Sequence, residues 1–225
     1  MPISIAVDGP VGAGKTTICD AVCRELGILH LDTGAMYRAV GVSVLGKSVS
    51  TDDEESIVRL LTDGEIDIDV EYRDGEQITL VNGENVNGLI RTQEAGSAAS
   101  AVSRFPGVRR HLVALQQAMA KRQSMLLDGR DIGTVVLPDA DVKIYLTASS
   151  LKRAERRRAQ LLEAGTDIPL EEIIREVEAR DYQDMHRETD PLRRAEDAVV
   201  VDSSDLTFEE TVERVLSLIK AAKKE

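Results

Sequence analysis

"DGPVGAGKTT", residues 8–17, decides the fold, and it follows an apolar run at residues 3–7 that has the length of a buried strand. The stretch matches G-x-x-x-x-G-K-S/T, the phosphate-binding loop, and a helical pattern comes after it. In that setting the backbone N–H groups and the N-terminus of the helix face anionic oxygens. The alternative, a glycine-rich turn with a surface lysine, needs motif and setting to agree by coincidence. We therefore expect the loop to hold the phosphates of a nucleoside triphosphate.

The polar side chains of this loop have distinct expected roles. Lys15 reaches the β- and γ-phosphates, and the hydroxyl of Thr16 coordinates magnesium. Asp128 ends the apolar run at residues 125–128 and is expected to hold the same metal, directly or through water. The residues expected to bind ATP are Gly9, Pro10, Val11, Gly12, Ala13, Gly14, Lys15, Thr16, Thr17 and, from a basic segment later in the chain, Arg156.

Composition and charge argue against several classes of protein. The chain has 225 residues, of which 42% are hydrophobic, as is typical of a folded globular domain. It has no secretion signal and no stretch near the roughly 20 apolar residues of a membrane span, so we expect a cytoplasmic protein with no membrane partner. A net charge of −12 argues against a general affinity for nucleic acid. With only Cys19, Cys23 and three isolated histidines, a zinc site is not expected.

Apolar runs separated by helical patterns predict the fold class. The runs that are typical of buried parallel strands lie at residues 3–7, 28–31, 125–128, 142–146 and 198–202. Strands that alternate with helices indicate an α/β domain with a central parallel sheet, whose ligands bind at the carboxyl ends of the strands. A capping box formed by Thr207 and Glu210 predicts the start of the last helix.

One segment interrupts this alternation with a different period. Residues 63–83 alternate apolar and polar side chains around the turn sequence "RDG", residues 73–75. That period of two predicts an antiparallel hairpin inserted into the α/β scheme. Together with the helical stretch that follows it, the hairpin is expected to form a subdomain at residues 63–103.

A second interruption, at residues 149–168, is strongly basic. Arg153, Arg156 and Arg157 are spaced so that they share one helix face, and only Glu155 offsets the five cations of this stretch. Charges this concentrated repel one another in the absence of an anion. We interpret the segment as a mobile lid that closes over transferring phosphates, with a plain surface helix as the alternative.

Polar residues also follow two of the predicted strands. Thr33, Tyr37 and Arg38 come just after the second strand, where the planar fork of Arg38 suits a phosphate, although an ordinary helix start is equally compatible. Arg130 and Asp131 follow the strand at residues 125–128 on the same side as the phosphate-binding loop. Asp131 is either a ligand-binding carboxylate or a helix N-cap.

A third group of charges has helical spacing. Arg180, Asp184 and Arg187 stand at positions i, i+4 and i+7 and so form a single stripe. Spacing alone leaves open whether the stripe binds a ligand or is a ladder of helical ion pairs.

Six blocks of sequence, in order across nearly the whole chain, resemble the bacterial cytidylate kinase family. They are "GPVGAGKTT", "LDTGAMYRA", "IRTQEAGSAASAVSRFPGVR", "LLDGRDIGTVVLPDA", "ASSLKRAERRRAQL" and "ARDYQDMHRETDPL". The resemblance implies one nucleoside monophosphate kinase domain over residues 1–225, with the P-loop NTPase three-layer fold, a monophosphate-binding insert at 63–103 and an Arg-rich lid at 149–168. It also implies phosphorylation of CMP and dCMP by ATP, with Mg²⁺ as cofactor.

The resemblance assigns roles residue by residue. Ser100, Arg109 and Asp131 would recognise cytosine, and Arg38, Arg130 and Arg187 would hold the acceptor phosphate. Tyr37, Arg180 and Asp184 would approach the sugar, and Thr33 matches a substrate-binding position that is serine in some relatives. Lys15, Arg153, Arg157 and Asp128 are the expected catalytic residues.

The chemistry of cytosine is compatible with these roles. Its N4 amino group needs an acceptor such as the carboxylate of Asp131, whereas uracil presents an oxygen there and would leave lone pairs facing each other. The alternatives are a kinase of UMP or AMP, a P-loop switch NTPase that depends on a protein partner, and a binding module without catalysis. We expect a monomer that acts only on small molecules, because no segment has a long exposed apolar seam.

Overall fold

The computed structural model describes residues 2–222, so the outermost limits of the predicted domain, residues 1 and 225, lie outside the described range. The strands are β1 (Ser4–Asp8), β2 (Leu29–Asp32), β3 (Ile68–Arg73), β4 (Glu76–Val81), β5 (Glu84–Asn85), β6 (Met125–Gly129), β7 (Val142–Thr147) and β8 (Val199–Asp202). The helices are α1 (Lys15–Leu26), α2 (Thr33–Gly46), α3 (Glu54–Thr62), α4 (Gln93–Val102), α5 (Pro106–Ala120), α6 (Ser150–Glu163), α7 (Leu170–His186) and α8 (Phe208–Ala222). A π-helical turn spans Ile132–Val136. The chain divides into two compact units, Met1–Ile28 with Ser124–Glu225, and Leu29–Gln123.

The first unit is built on parallel strands in the order β6-β1-β7-β8. Ala6 of β1 stands opposite Leu127 on one side and Lys143 on the other. The strands are short apolar runs because both faces of a parallel sheet are covered. Helices α1 and α8 pack on this sheet, and their side chains, such as Val22 and Ile219, are fully buried in its core. The predicted α/β fold with a central parallel sheet is therefore confirmed.

Local signals located the elements of this unit well. Each of the four strands predicted in this unit agrees with an observed one to within one residue at either end, and the strand predicted at residues 28–31 agrees equally well with β2 of the second unit. The capping box is also present, since the N–H of Glu210 donates to Oγ1 of Thr207 at 3.1 Å and the N–H of Thr207 donates to Oε2 of Glu210 at 2.8 Å. The N–H groups at the start of a helix have no acceptor within it, and these two side chains supply acceptors for two of them.

The second unit contains the predicted hairpin. Strands β3 and β4 pair antiparallel, and the pair Arg73 and Glu76 closes the turn at Asp74 and Gly75. Helices α2 and α4 approach closely, because a Cβ on Gly41 would lie 2.7 Å from the Cβ of Ala98. The hairpin is confirmed, and it belongs to a compact unit longer than the expected insert. The insert at residues 63–103 as a functional subdomain stays a prediction.

A helix that spans a bilayer needs about 20 consecutive, mostly apolar residues. Among the helices within residues 2–222, none is both long enough and apolar enough to span a membrane.

Candidate active site

The phosphate-binding loop has the strand–loop–helix setting that the motif requires. Strand β1 ends at Asp8 and α1 begins at Lys15, which leaves residues 9–14 as the connecting loop. A Cβ on Gly9 would lie 1.9 Å from the carbonyl oxygen of Leu146 in β7, so only glycine fits there. Gly14 is the N-cap of α1 and supplies no side-chain hydrogen bond. The N–H groups of the first turn are therefore suited to bind an anion.

Lys15 is held inside this loop. Its side chain is only 7% exposed, and Nζ donates to the carbonyl oxygens of Gly9 and Pro10, each at 2.9 Å. Burial lowers the pKa of Lys15 to about 7, and the positive charge of Arg130 contributes in the same direction. Burial thus disfavours the charged form of this amine, and an anion bound in the loop would favour it.

The residues expected to hold magnesium lie together in the first unit. Oγ1 of Thr16 donates to Oδ2 of Asp128 at 3.3 Å, and Asp128 is buried. Hydroxyl and carboxylate oxygens fit Mg²⁺, which binds through few protein ligands and completes its shell with water and substrate phosphates. Within residues 2–222 no three His, Cys, Asp or Glu side chains form a metal-binding group.

Two of the three predicted lid arginines contact the backbone of the phosphate-binding loop. Arg153 is buried and its Nη1 donates to the carbonyl oxygen of Val11 at 2.9 Å. Nη1 of Arg156 lies 3.5 Å from the carbonyl oxygen of Ala13, while Nη2 donates to the carbonyl oxygen of Ser203 at 2.7 Å. Arg157 is exposed although it shares their helical spacing.

The expectation that only Glu155 offsets the lid cations is wrong. Nη2 of Arg153 forms an ion pair with Oδ2 of Asp181 at 2.6 Å, and Arg158 pairs with Asp167 at 3.3 Å. Oδ1 of Asp181 also accepts the N–H of Val11 at 3.3 Å. Sequence analysis missed Asp181, whose only local signal is an acidic residue on the buried face of α7. Asp167 lies within the lid segment and a local count of charges could have included it, whereas Asp181 comes from α7 and could not be found in that way.

The basic and acidic residues expected to bind the acceptor in the first unit form linked ion pairs. Nε of Arg130 donates to Oδ2 of Asp184 at 2.7 Å, and Nε of Arg180 lies 3.7 Å from Oδ1 of the same carboxylate. Nη2 of Arg187 donates to Oδ1 of Asp131 at 3.3 Å. Burial alone would raise the pKa of Asp184, but Arg130 and Arg180 hold it below its usual value. The helical ion pair is thus present, yet the closer partner of Asp184 is Arg130.

Asp131 occupies the N-cap position of the π-helical turn but does not cap it. Its side chain makes no capping hydrogen bond. The N–H groups of Ile132 and Gly133 donate instead to Oδ1 and Oδ2 of Asp8, at 2.7 and 2.8 Å. The N-cap alternative for Asp131 is therefore not what the structure shows. Sequence analysis missed Asp8, which is marked only as an acidic residue at the end of a buried strand.

In the second unit, Arg38 is oriented by the residue that caps its own helix. Oδ1 of Asp32 accepts the N–H of Ala35, while Nη2 of Arg38 lies 2.7 Å from Oδ2. Burial alone would raise the pKa of Asp32, but Arg38 lowers it below its usual range. Gln77, which sequence analysis also missed, accepts the N–H of Asp32 with Oε1 at 2.8 Å. The hairpin thereby fixes the backbone just before Thr33.

The remaining predicted residues of this unit are buried. The guanidinium of Arg109 lies 5.7 Å from the centre of the Tyr37 ring, and Arg109 is only 2% exposed. Thr33 and Ser100 are also buried. Because both side chains are buried, they have little freedom to move, and the guanidinium of Arg109 is held over the ring of Tyr37.

Comparison with known proteins gives a consistent result over nearly the whole chain. A family model described as cytidylate kinase matches residues 5–221. The chain is 47% identical over 216 residues to the cytidylate kinase of Caldicellulosiruptor bescii, an alignment that covers 96% of this chain and 95% of the relative. It is 44% identical over 218 residues to the cytidylate kinase of Pasteurella multocida, covering 97% and 95%. An uncharacterized protein from Eubacterium ventriosum superposes with a TM-score of 0.51 over 100% of both chains at 9% identity, which supports the fold alone.

Proposed function

The chain belongs to the cytidylate kinase family, and on that premise we propose that it transfers the γ-phosphoryl group of ATP to CMP and dCMP, giving CDP and dCDP. One observation from the first unit carries this proposal. Strands β1 and β6 are parallel neighbours with Asp8 opposite Gly129, so the ATP-binding loop that follows Asp8 and the acceptor cation Arg130 that follows Gly129 leave the sheet at the same edge. Two neighbouring cations of this kind suit a reaction that brings two phosphates together.

We assign the transfer itself to positioning and charge stabilisation, without a covalent intermediate. An oxygen of the acceptor phosphate attacks the γ-phosphorus in line. Residues 9–17 and Arg156 would bind ATP, while Lys15, Arg153 and Arg157 would neutralise the charge of the migrating group. Thr16 and Asp128 would hold Mg²⁺, which supplies further neutralisation of phosphate charge when bound.

Acceptor binding is assigned to three sets of residues. The residues proposed to hold the phosphate are Arg38, Arg130 and Arg187. The residues proposed to contact the sugar and its surroundings are Thr33, Tyr37, Arg180 and Asp184. The residues proposed to recognise cytosine are Ser100, Arg109 and Asp131. Asp131 accepts a hydrogen bond from N4, and a uracil oxygen at that place would leave two acceptors unpaired, which costs about 1–3 kcal/mol or more.

The lid at residues 149–168 is proposed to exclude water. Transfer to water would hydrolyse ATP without product, so closure must depend on both substrates. The contacts of Arg153 and Arg156 with the carbonyl oxygens of the phosphate-binding loop support a lid that acts directly above that loop.

A panel of acceptors with magnesium-ATP tests the proposal. We expect CMP and dCMP to be phosphorylated far faster than UMP or AMP, with little ATP hydrolysis when no acceptor is present. Equal turnover of UMP would refute the assignment of cytosine recognition to Asp131. Rapid hydrolysis without an acceptor would favour the switch NTPase. The proposal also includes a monomeric, cytoplasmic enzyme, and light scattering on the purified protein tests its oligomeric state.

A further inference from the structure

The carboxylate of Asp8 caps a helical turn that lies 124 residues away in the sequence. Asp8 ends β1, is only 4% exposed, and uses one oxygen for the N–H of Ile132 and the other for the N–H of Gly133. The first N–H groups of a helical turn have no partner within it and need an acceptor. The usual supplier is the residue at the N-cap, here Asp131, and aspartate is among the best residues at that position.

The cap is closely fitted and costs free energy. A Cβ on Gly133 would lie 3.4 Å from Oδ2 of Asp8 and 3.2 Å from Cδ of Lys143, so the turn touches the carboxylate. The ammonium of Lys143 is engaged by Asp197 at 2.8 Å. Burial raises the pKa of Asp8 to about 6, although the two N–H groups oppose that shift. A buried carboxylate is an expensive cap when an aspartate already stands at the N-cap position.

We propose that Asp8 is a positioning residue for base recognition. By capping the turn, it leaves the carboxylate of Asp131 in its contact with Arg187 and directed to the acceptor base. Without Asp8, the N–H groups of Ile132 and Gly133 would compete for Asp131 as an ordinary N-cap. The inference rests on the proposed function, in which Asp131 accepts a hydrogen bond from N4 of cytosine.

The variant Asp8→Asn tests this role with almost no change of volume. Its amide keeps one acceptor oxygen but presents an NH₂ group to the other N–H, so one hydrogen bond of the cap is lost. We expect KM for CMP to rise and the ratio of kcat/KM for CMP to that for UMP to fall, each about ten-fold, which corresponds to one charge-assisted hydrogen bond. Both acceptors are assayed at saturating ATP, because the charge of Asp8 also acts on Lys15 and its loss alters ATP binding equally for both acceptors.

Asp141→Asn is a matched control. Asp141 accepts the N–H and the hydroxyl of Ser4, at 2.7 and 2.9 Å, at the opposite end of the same strand. Loss of the Asp141 carboxylate should leave the ratio of kcat/KM for CMP to that for UMP unchanged. If Asp8→Asn lowers both kcat/KM values equally and keeps the ratio, Asp8 has a structural role only and the inference is overturned.

Two further variants keep the test decisive. Gly133→Ala retains the carboxylate, but its Cβ would lie 3.2 Å from Cδ of Lys143, so the turn must shift slightly relative to Asp8. This variant should lower the same ratio by a smaller factor, and it replaces Asp8→Asn if that protein does not fold. Asp131→Asn is measured in parallel. If Asp131→Asn preserves the ratio, the assigned recognition of the base is wrong. If Asp131→Asn abolishes the preference for CMP over UMP while Asp8→Asn and Gly133→Ala preserve that preference, only the positioning role of Asp8 is wrong.

Discussion

Binding of ATP is expected to draw a proton onto Lys15. Burial and the charge of Arg130 lower its pKa to about 7 in the protein without nucleotide, whereas phosphate oxygens beside the amine would restore a pKa near the ordinary value. At pH 8 the protein without nucleotide then carries about 0.1 proton on this amine and the complex carries about 1, an uptake of ~0.9 proton per ATP. The uptake falls to ~0.5 at pH 7 and ~0.1 at pH 6. Charging the amine at pH 8 costs about 1.4 kcal/mol. This group alone should therefore make the affinity for ATP about ten-fold weaker at pH 8 than at pH 6.

Isothermal titration calorimetry with magnesium-ATP and no acceptor measures this uptake. At each pH the titration is repeated in two buffers that differ in ionisation enthalpy, and the slope of the observed enthalpy gives the number of protons. Lys15→Arg is the control, because a guanidinium stays charged and its complex reports the protons taken up by all other groups. Equal uptake by the two proteins at pH 8, or an uptake that does not decline from pH 8 to pH 6, would refute the assignment to Lys15.

Four other changes have definite expected outcomes. Asp181→Ala leaves the buried Arg153 without its carboxylate and should lower the free energy of unfolding in urea by about 3 kcal/mol or more, and a loss below about 1 kcal/mol would contradict a buried pair. Thr207→Ala should cost about 1 kcal/mol in the same assay and leave CMP kinetics unchanged. Arg38→Lys should raise KM for CMP and leave KM for ATP unaffected, since lysine lacks the planar fork, and an unchanged KM for CMP would remove Arg38 from the acceptor site. Asp131→Ala should lose CMP turnover while ATP still binds in a calorimetric titration, and unchanged CMP kinetics would show that this carboxylate does not contact the base.

The structure of the phosphate-binding loop was predictable because it depends on neighbouring residues. The phosphate-binding loop needs only a strand, a glycine-rich turn and a helix in succession, and all three lie within residues 4–26. Fold class was predictable for a related reason, since strands buried on both faces require continuous apolar runs that are visible in the sequence. The hairpin around Gly75 was likewise marked by its own period and turn residues.

The roles of individual charges depended on partners far away in the chain. Sequence spacing allowed Asp131 to be a helix cap or a ligand, and the structure excludes the cap because Asp8 takes its place. The same holds for Arg153, whose counter-charge is Asp181 rather than a neighbour in α6.

The sequence by itself determined where the chain forms strands, helices and the phosphate-binding loop, because backbone conformation and hydrophobic burial follow from neighbouring residues. Only the tertiary structure decided which carboxylate meets which N–H group or guanidinium. Such pairings are set by how distant segments pack in the folded unit, as between Asp8 and Ile132, and a buried hydrogen bond or ion pair forms wherever packing brings its two groups together.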